Sequence, residues 1–197
     1  MKLNFLKFFL IVFVLTFAVL NGRFLYSNVR FALFGPGTNK IIIPAQNIGI
    51  QDQDQARLII EKIGINVPIV FGTGTDQKSI YDSLANGVVN YPGSAKPGDG
   101  GVSIILGHSS AYPWYKGSYG SVFALLGKLK TGDKFYVKYS SGQMFTYSVK
   151  KSFIFSPFTN DARLSEIEKN SKNSIVLVSC WPIGTNFRRI AIQGELI

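Results

Sequence analysis

Cys180 and His108 are the one cysteine and the one histidine of the chain, and each stands at the polar end of an apolar run rich in β-branched residues. The two runs read SIVLVSC and GVSIILGH, and both predict strands. A thiolate can attack a carbonyl carbon while an imidazole moves the proton, so the pair is the minimum equipment for nucleophilic catalysis. No second histidine or cysteine is spaced to make a zinc site, and we expect neither a metal nor a cofactor.

The segments around these two residues predict a domain made mainly of β-strands. From residue 57 to residue 197, short apolar runs alternate with turn signals over a length that suits one domain with its own core. The runs that predict strands are RLIIEKIGI, VPIVFG, GVSIILGH, DKFYVKY, MFTYSVKKSFIF, SIVLVSC and RRIAIQGELI. Helical periodicity is confined to QKSIYDSLA, RLSEIEK and, for a turn or two, SVFALLGKL. So many strands with so little helix indicate a closed barrel or a sandwich.

Charge is distributed unevenly along the chain. The sequence holds 21 basic and 11 acidic residues, a formal charge of +10, and the first 51 residues contain five of the basic residues and no acidic one. The basic residues are scattered, without a basic helix or an aromatic RNA-binding signature, so the composition argues against a nucleic-acid partner. A basic stem near an anionic membrane surface is the simpler interpretation.

The N-terminal stretch is almost entirely apolar. Residues 5–20 read FLKFFLIVFVLTFAVL, interrupted by Lys7 and Thr16, and approach the length that a bilayer requires if Lys7 extends toward the headgroups. We therefore predict an uncleaved transmembrane anchor over residues 1–22, which places the catalytic part on the extracellular face of the cell membrane. A cleaved signal peptide is the alternative, although no convincing small-residue cleavage site follows.

The segment between this anchor and the first predicted strand is rich in Gly, Pro, Asn and Gln. Such a composition predicts an extended stem, which we assign to residues 23–55, ahead of a catalytic domain at residues 56–197. The three isoleucines at residues 41–43 leave a second possibility open, because β-branched residues favour an additional strand or packing against the barrel.

Five segments, taken in order along the chain, carry a resemblance to a known family. They read RLIIEKIGINVPIVFG, LANGVVNYPGSAKPGDGGVSIILGHSS, LLGKLKTGDKFYV, SIVLVSCWP and RRIAIQGEL. This succession resembles sortases, the cysteine transpeptidases that attach exported proteins to bacterial envelopes, over nearly the whole exported part. Trp181 and Pro182 after the cysteine are similar to sortase groups outside the housekeeping class, and the subgroup stays open.

The resemblance implies a closed eight-stranded sortase-type β-barrel and a catalytic trio. It matches Cys180 to the family's nucleophile, His108 to its acid and base, and Arg189 or Arg188 to its arginine. Arg189 has the more usual spacing from the GEL segment near the end of the chain. Neighbouring side chains of a strand point to opposite faces, so one of the two arginines can face the sulfur.

The resemblance also implies a substrate and a place for it. The expected substrates are secreted proteins with a C-terminal sorting signal similar to Leu-Pro-x-Thr-Gly, and the acceptor is an amine of a cell-envelope precursor or a pilin lysine. We predict that the substrate meets side chains beside the trio and in the aromatic stretch that follows the histidine, namely Ser179, Trp181, Arg188, Tyr112 and Trp114. Glu166 and Glu168, two positions apart on a predicted helix, do not share a face, so no calcium site is expected.

Two other functions compete with this interpretation. A cysteine hydrolase of cell-wall peptides also uses Cys and His, but papain-like enzymes place the cysteine ahead of the histidine at the start of a helix. A non-enzymatic barrel that binds an acidic envelope polymer would use the aromatic stretch and the positive charge instead. A reactive, selectively labelled Cys180 favours an enzyme, whereas an inert thiol favours a binding protein.

Overall fold

Eight strands of the sequence close into one barrel in the computed structural model of the protein, which describes residues 2–20, 22–34, 55–112, 115 and 117–197. The strands are β1 Ala56–Ile60, β2 Ile65–Val70, β3 Val88–Asn90, β4 Gly101–Leu106, β5 Lys134–Tyr139, β6 Met144–Phe155, β7 Asn173–Trp181 and β8 Arg188–Leu196. Around the barrel they follow the order β1-β2-β3-β4-β7-β8-β6-β5. The prediction of a closed eight-stranded β-barrel is confirmed.

Helices are short in the barrel domain, as predicted. An α-helix covers Gln77–Ser83 and another covers Ala162–Asn170; we number them α3 and α4, after two N-terminal helices. Each has an aspartate cap: Asp76 accepts a hydrogen bond from the Ser79 backbone nitrogen, and Asp161 accepts one from that of Arg163. Two 3-10 helices, Glu61–Ile63 and Leu126–Lys128, add one turn each.

The pairing of β4 with β7 decides where the chemistry lies. The two strands run parallel in register from Gly101 opposite Asn173 to Leu106 opposite Val178. A parallel pair needs a long connection, which β5, β6 and α4 supply. Strands covered on both faces favour unbroken β-branched sequences, and this accounts for the apolar runs GVSIIL and SIVLV. Parallel pairing places the carboxyl ends of both strands at one edge of the barrel.

The two faces of the barrel wall have separate cores. Large side chains fill the interior, where Phe135 stacks on Tyr147 with the ring centroids 5.4 Å apart. On the outer face a second cluster lies under α4, and because side chains alternate along a strand its members occupy every second position of β4, β6 and β7, with one residue from β8. We call it the outer cluster; it comprises Phe153, Ile167, Val176, Val178 and Ala191, with Val102, Ile104, Leu106, Phe155 and Leu164 packed against it.

The interior tolerates no side chain at position 194. A Cβ built on Gly194 would stand 2.4 Å from Cζ of Phe135 and 3.3 Å from Cβ of Tyr147. We expect Gly194→Ala to lower the free energy of unfolding by about 1–3 kcal/mol, because overpacking displaces the stacked rings.

Urea denaturation measures this loss, and Glu195→Ala is the control. The Glu195 side chain is 45% exposed and pairs with Lys150 at 3.3 Å, so its removal should change the free energy of unfolding by less than about 0.5 kcal/mol. Equal midpoints for Gly194→Ala and Glu195→Ala would contradict a filled interior.

The N-terminal residues form a separate unit with two helices, α1 at Lys2–Leu20 and α2 at Gly22–Phe34. Within the described part of the chain, no helix has both the length and the apolar character that a membrane crossing requires, so the transmembrane anchor predicted over residues 1–22 is not seen among these residues.

The stem prediction differs from the structure in its first part. Gly22–Phe34 is helical where an extended segment was expected, because apolar residues recur at helical spacing there. The rest of the predicted stem up to residue 54, including the isoleucines at residues 41–43, lies outside the described residues.

Candidate active site

The parallel strands β4 and β7 bring His108 and Cys180 to neighbouring positions. Beyond the last ladder pair, the Gly107 backbone nitrogen donates to the Val178 carbonyl oxygen at 3.1 Å. The Ser179 hydroxyl then donates to the Gly107 carbonyl oxygen at 2.7 Å. His108 directly follows Gly107, and Cys180 directly follows Ser179. The hydrogen bond between Ser179 and Gly107 therefore brings together two residues that are 72 positions apart in the sequence.

Strand alternation predicts the outer face of the barrel wall for both side chains. Val176 and Val178 contribute to the outer cluster, and two further residues along the strand the alternation reaches Cys180. Leu106 packs against the same cluster from β4, and two residues later comes His108. The thiol and the imidazole are therefore expected at the open end of the outer cluster, where both residues are half-buried.

Arg189 joins them from β8, and Arg188 does not. In the β7–β8 pair Cys180 lies opposite Arg189, while Trp181 lies opposite Arg188. Residues directly opposite each other in a sheet share a face, so the register places Arg189 on the cysteine's face. Arg189 is half-buried and Arg188 is exposed.

The guanidinium of Arg189 is held at the end of its strand. Its Nη1 donates to the carbonyl oxygens of Asn186 and Arg188, each at 3.0 Å. Phe155 of β6 flanks the same residue on the other side of β8. The remaining N–H groups of the fork take no part in these two bonds and can meet a developing oxyanion.

Two tyrosines enclose the imidazole of His108. The ring centroid of Tyr81, on α3, lies 5.4 Å away, and that of Tyr115, in the loop after β4, lies 5.2 Å away. Nε2 of His108 is buried and has no hydrogen-bond partner among the residues that the structure describes. Burial lowers the pKa of His108, because a protonated ring loses its hydration there.

The other predicted contacts with substrate are placed differently. Ser179 is buried, and its hydroxyl joins β7 to β4, on the face opposite the thiol. The ring of Trp181 lies against Gly127, on that same opposite face. Tyr112 is 64% exposed, and Trp114 lies outside the described residues. Their contacts with substrate, like that of Arg188, stay predictions.

Tyr81 was missed by the sequence interpretation, and Tyr115 was considered only as part of the aromatic stretch that was expected to meet substrate. Tyr115 belongs to an aromatic stretch that pointed to the right loop. No sequence signal linked Tyr81 to His108, because helix packing rather than spacing brings a residue of α3 against the end of β4.

The titration of His108 is the first solution test of this site. We expect its midpoint below pH 6.5, the ordinary value, because desolvation opposes protonation in the folded chain. The folded chain then binds this proton less readily than the unfolded chain. The free energy of unfolding should therefore decrease as the pH falls from about 6.5 through the folded-state pKa.

Proton NMR can follow the ring directly, since an untagged chain holds a single histidine. The same resonance in urea should titrate near pH 6.5 and provides the control. A folded-state midpoint at or above that of the unfolded chain would contradict the enclosed ring.

A family comparison identifies the kind of domain to which these residues belong. A family model described as Sortase domain matches residues 58–197. No curated protein sequence matches the chain.

Solved structures agree with that match. Sortase C-1 from Actinomyces oris is 28% identical at a TM-score of 0.60, over 75% of this chain and 76% of that one. Sortase A from Corynebacterium diphtheriae is 26% identical at 0.58, over 73% and 60%. The sortase D5 transpeptidase from Clostridium perfringens is 25% identical at 0.54, over 73% and 79%. These structures represent three sortase groups, so the subgroup of this chain stays unresolved.

Proposed function

Since the chain belongs to the sortase family, whose members are cysteine transpeptidases, we propose that it cleaves a Leu-Pro-x-Thr-Gly-like sorting signal and transfers the acyl part to an amine. The observation that carries the proposal is the register of β4, β7 and β8. Cys180 lies opposite Arg189, and the parallel pairing of β4 with β7 brings the residues that follow β4, His108 among them, to the same edge of the barrel, which supports a common site. These three residues are our catalytic assignment.

The proposed reaction passes through a thioester on Cys180. His108, neutral at rest because of its lowered pKa, takes the thiol proton, and the thiolate attacks the carbonyl carbon of the scissile peptide. Arg189 stabilises the oxyanion of the tetrahedral intermediate. The intermediate collapses as His108 donates the proton to the departing amine, which leaves an acyl-enzyme.

A second amine completes the transfer. It attacks the thioester carbonyl, loses a proton to His108 and releases the thiolate, which recovers the proton from the imidazolium. An amide bond is broken and an amide bond is formed, so the reaction needs neither an oxidant nor a cofactor. Access for the amine in preference to water distinguishes transfer from hydrolysis.

The outer cluster supports an extended apolar peptide as the donor substrate. Its apolar side chains line the barrel wall that leads to the thiol, and α4 borders it through Leu164 and Ile167. The Leu and Pro of a sorting signal are apolar, so they suit contact with Ile104, Leu106 and Phe155, which are half-buried and within reach of solvent.

For the location we propose the extracellular face of the cell membrane, where exported donors and envelope or pilin amines are found. The exposed apolar side chains of α1 support membrane contact, and they extend from Phe5 to Val19. Protease treatment of intact cells tests this location: the barrel domain should be cleaved from outside, and a chain protected until lysis would contradict it.

Trapping of the acyl-enzyme tests the activity. The full chain is incubated with a library of Leu-Pro-x-Thr-Gly-like peptides, with and without candidate amines, and intact-mass spectrometry is recorded. We expect an acyl adduct on Cys180 that an amine discharges to a new amide. Hydrolysis that no amine alters would favour a cysteine hydrolase, and an unreactive thiol would favour a binding protein.

A further inference from the structure

Two tyrosine rings, which are not part of the catalytic trio, pack against the imidazole of His108. The imidazole makes edge-to-face contacts with Tyr81, at an interplanar angle of 75°, and with Tyr115, at 79°. The two tyrosine rings also meet each other edge-to-face, with centroids 6.5 Å apart. We call Tyr81 and Tyr115 the aromatic clamp.

The aromatic clamp occupies the place where many enzymes have a carboxylate that is hydrogen-bonded to the catalytic histidine. A catalytic base is usually oriented by a third group that accepts a hydrogen bond from its second nitrogen. Within the described part of this chain, the His108 ring makes no ion pair with a carboxylate, and Nε2 has no hydrogen-bond partner. The hydroxyl of Tyr115 is likewise buried without a partner there, so it does not tether the imidazole by a hydrogen bond.

Two glycines of its own loop leave room for the Tyr115 ring. A Cβ on Gly117 would lie 2.6 Å from Cε1, Cζ and the hydroxyl oxygen of this ring, and a Cβ on Gly120 would lie 2.9 Å from its Cδ1. The ring therefore occupies space that two absent side chains leave open. The strand end is also anchored, since the His108 carbonyl oxygen accepts a hydrogen bond from the Phe123 backbone nitrogen at 2.8 Å.

The position of Tyr81 is set by a capped helix. Asp76 accepts hydrogen bonds from both the backbone nitrogen and the hydroxyl group of Ser79, which fixes the first turn of α3. Tyr81 lies two residues further along and is 44% exposed, so one side of the clamp faces solvent. Two separate elements thus converge on one imidazole.

We propose that Tyr81 and Tyr115 are positioning residues that orient the His108 imidazole by ring packing and keep water from it. The inference rests on the proposed function, in which His108 moves the proton. Edge-to-face pairs of aromatic rings attract each other beyond the area that they bury, so two such contacts favour one orientation of the imidazole. Burial lowers the pKa of His108, and the two rings contribute to that burial.

The groups that face His108 are few among the described residues. Tyr81 approaches from α3 and Tyr115 from the loop after β4, while the register places Cys180 on β7 and Arg189 on β8 at the same edge. Burial is the cause of the lowered pKa, with no charged neighbour contributing. Removing a clamp ring should therefore act mainly by admitting water.

The test combines NMR titration of His108 with steady-state kinetics on the full chain. In Tyr81→Leu and Tyr115→Leu the His108 pKa should rise toward 6.5, and kcat should fall about 10- to 100-fold with KM within about threefold. Tyr115→Phe should keep both values, because the hydroxyl has no partner to lose. Tyr91→Leu is the matched control: it removes a ring with 43% exposure outside the clamp and should change neither value.

Gly120→Ala gives an independent route to the same result. It changes neither tyrosine, but the new Cβ would stand 2.8 Å from Cβ of Ala111 and 2.9 Å from Cδ1 of Tyr115, so it should displace the Tyr115 ring and also raise the His108 pKa. Thermal unfolding of each variant identifies those that are folded at the assay temperature. The clamp is overturned if folded Leu variants keep the wild-type titration and kcat, or if Tyr115→Phe behaves like Tyr115→Leu.

The NMR readout needs no turnover, so it separates two kinds of failure. If the variants shift the titration but the wild-type chain transfers no acyl group, the proposed function is wrong and the packing of the clamp stands. If the wild-type chain is active and the titration does not respond, the proposed function stands and the clamp is wrong.

Discussion

Replacing Cys180 with alanine is expected to lower the rate of acyl transfer by about 10,000-fold or more, because the chain then contains no sulfur nucleophile. No other cysteine can substitute for it. The half-buried side chain is small, so Cys180→Ala should leave the barrel folded. Amide product is measured by chromatography with a sorting-signal peptide and an amine in excess.

Two controls make the loss of activity interpretable. Iodoacetamide should inactivate the wild-type chain and add a single mass increment, whereas Cys180→Ala should gain none. The His108 titration, which does not depend on the sulfur for detection, reports whether the variant keeps the site's packing. Transfer by Cys180→Ala at more than about 1% of the wild-type rate would eliminate a thioester mechanism.

Arg189→Ala is expected to lower kcat by about 100- to 1,000-fold, the usual effect of removing one oxyanion donor. Its guanidinium belongs to the residue opposite the nucleophile, so the loss should appear in the chemical step rather than in binding. Arg189→Lys keeps the charge but not the planar fork, and should restore only part of the rate.

Arg188→Ala is the matched comparison, one position away on the same strand. Arg188 lies opposite Trp181 and is exposed, so its loss should act on KM, by less than about 10-fold. A larger kcat effect for Arg188→Ala than for Arg189→Ala would reverse the assignment. Parallel measurements of kcat and KM for the two alanine variants therefore decide which arginine acts in the reaction.

The strands could be predicted from the sequence because each one is a local pattern. Runs such as GVSIIL and SIVLV are β-branched throughout, and turn residues separate them. Which strands pair is not local: the parallel neighbours β4 and β7 are separated by β5, β6 and α4. Family resemblance rather than residue pattern supplied the closed barrel in preference to a sandwich.

Similar reasons explain the parts of the site that the sequence left open. The choice between Arg188 and Arg189 depends on cross-strand register, which composition does not determine. The clamp depends on the packing of α3 and of the loop after β4 against the end of β4. The sequence spacing of Tyr81 and Tyr115 does not predict this packing. Cys180 and His108 could be predicted from the sequence because each is the one residue of its type and ends an apolar run.

Because β8 lies between β6 and β7, its insertion determines when the enzyme can first catalyse acyl transfer. Arg188–Leu196 pairs with β6 on one side and with β7 on the other, so the barrel closes only when this last strand is inserted. A chain still emerging from the ribosome has neither Arg189 in place nor a closed wall behind its thiol. Contacts between distant segments also form late in folding. Acyl transfer should therefore begin abruptly, after residue 196 has been synthesised and β8 has been inserted, with no partially active nascent form.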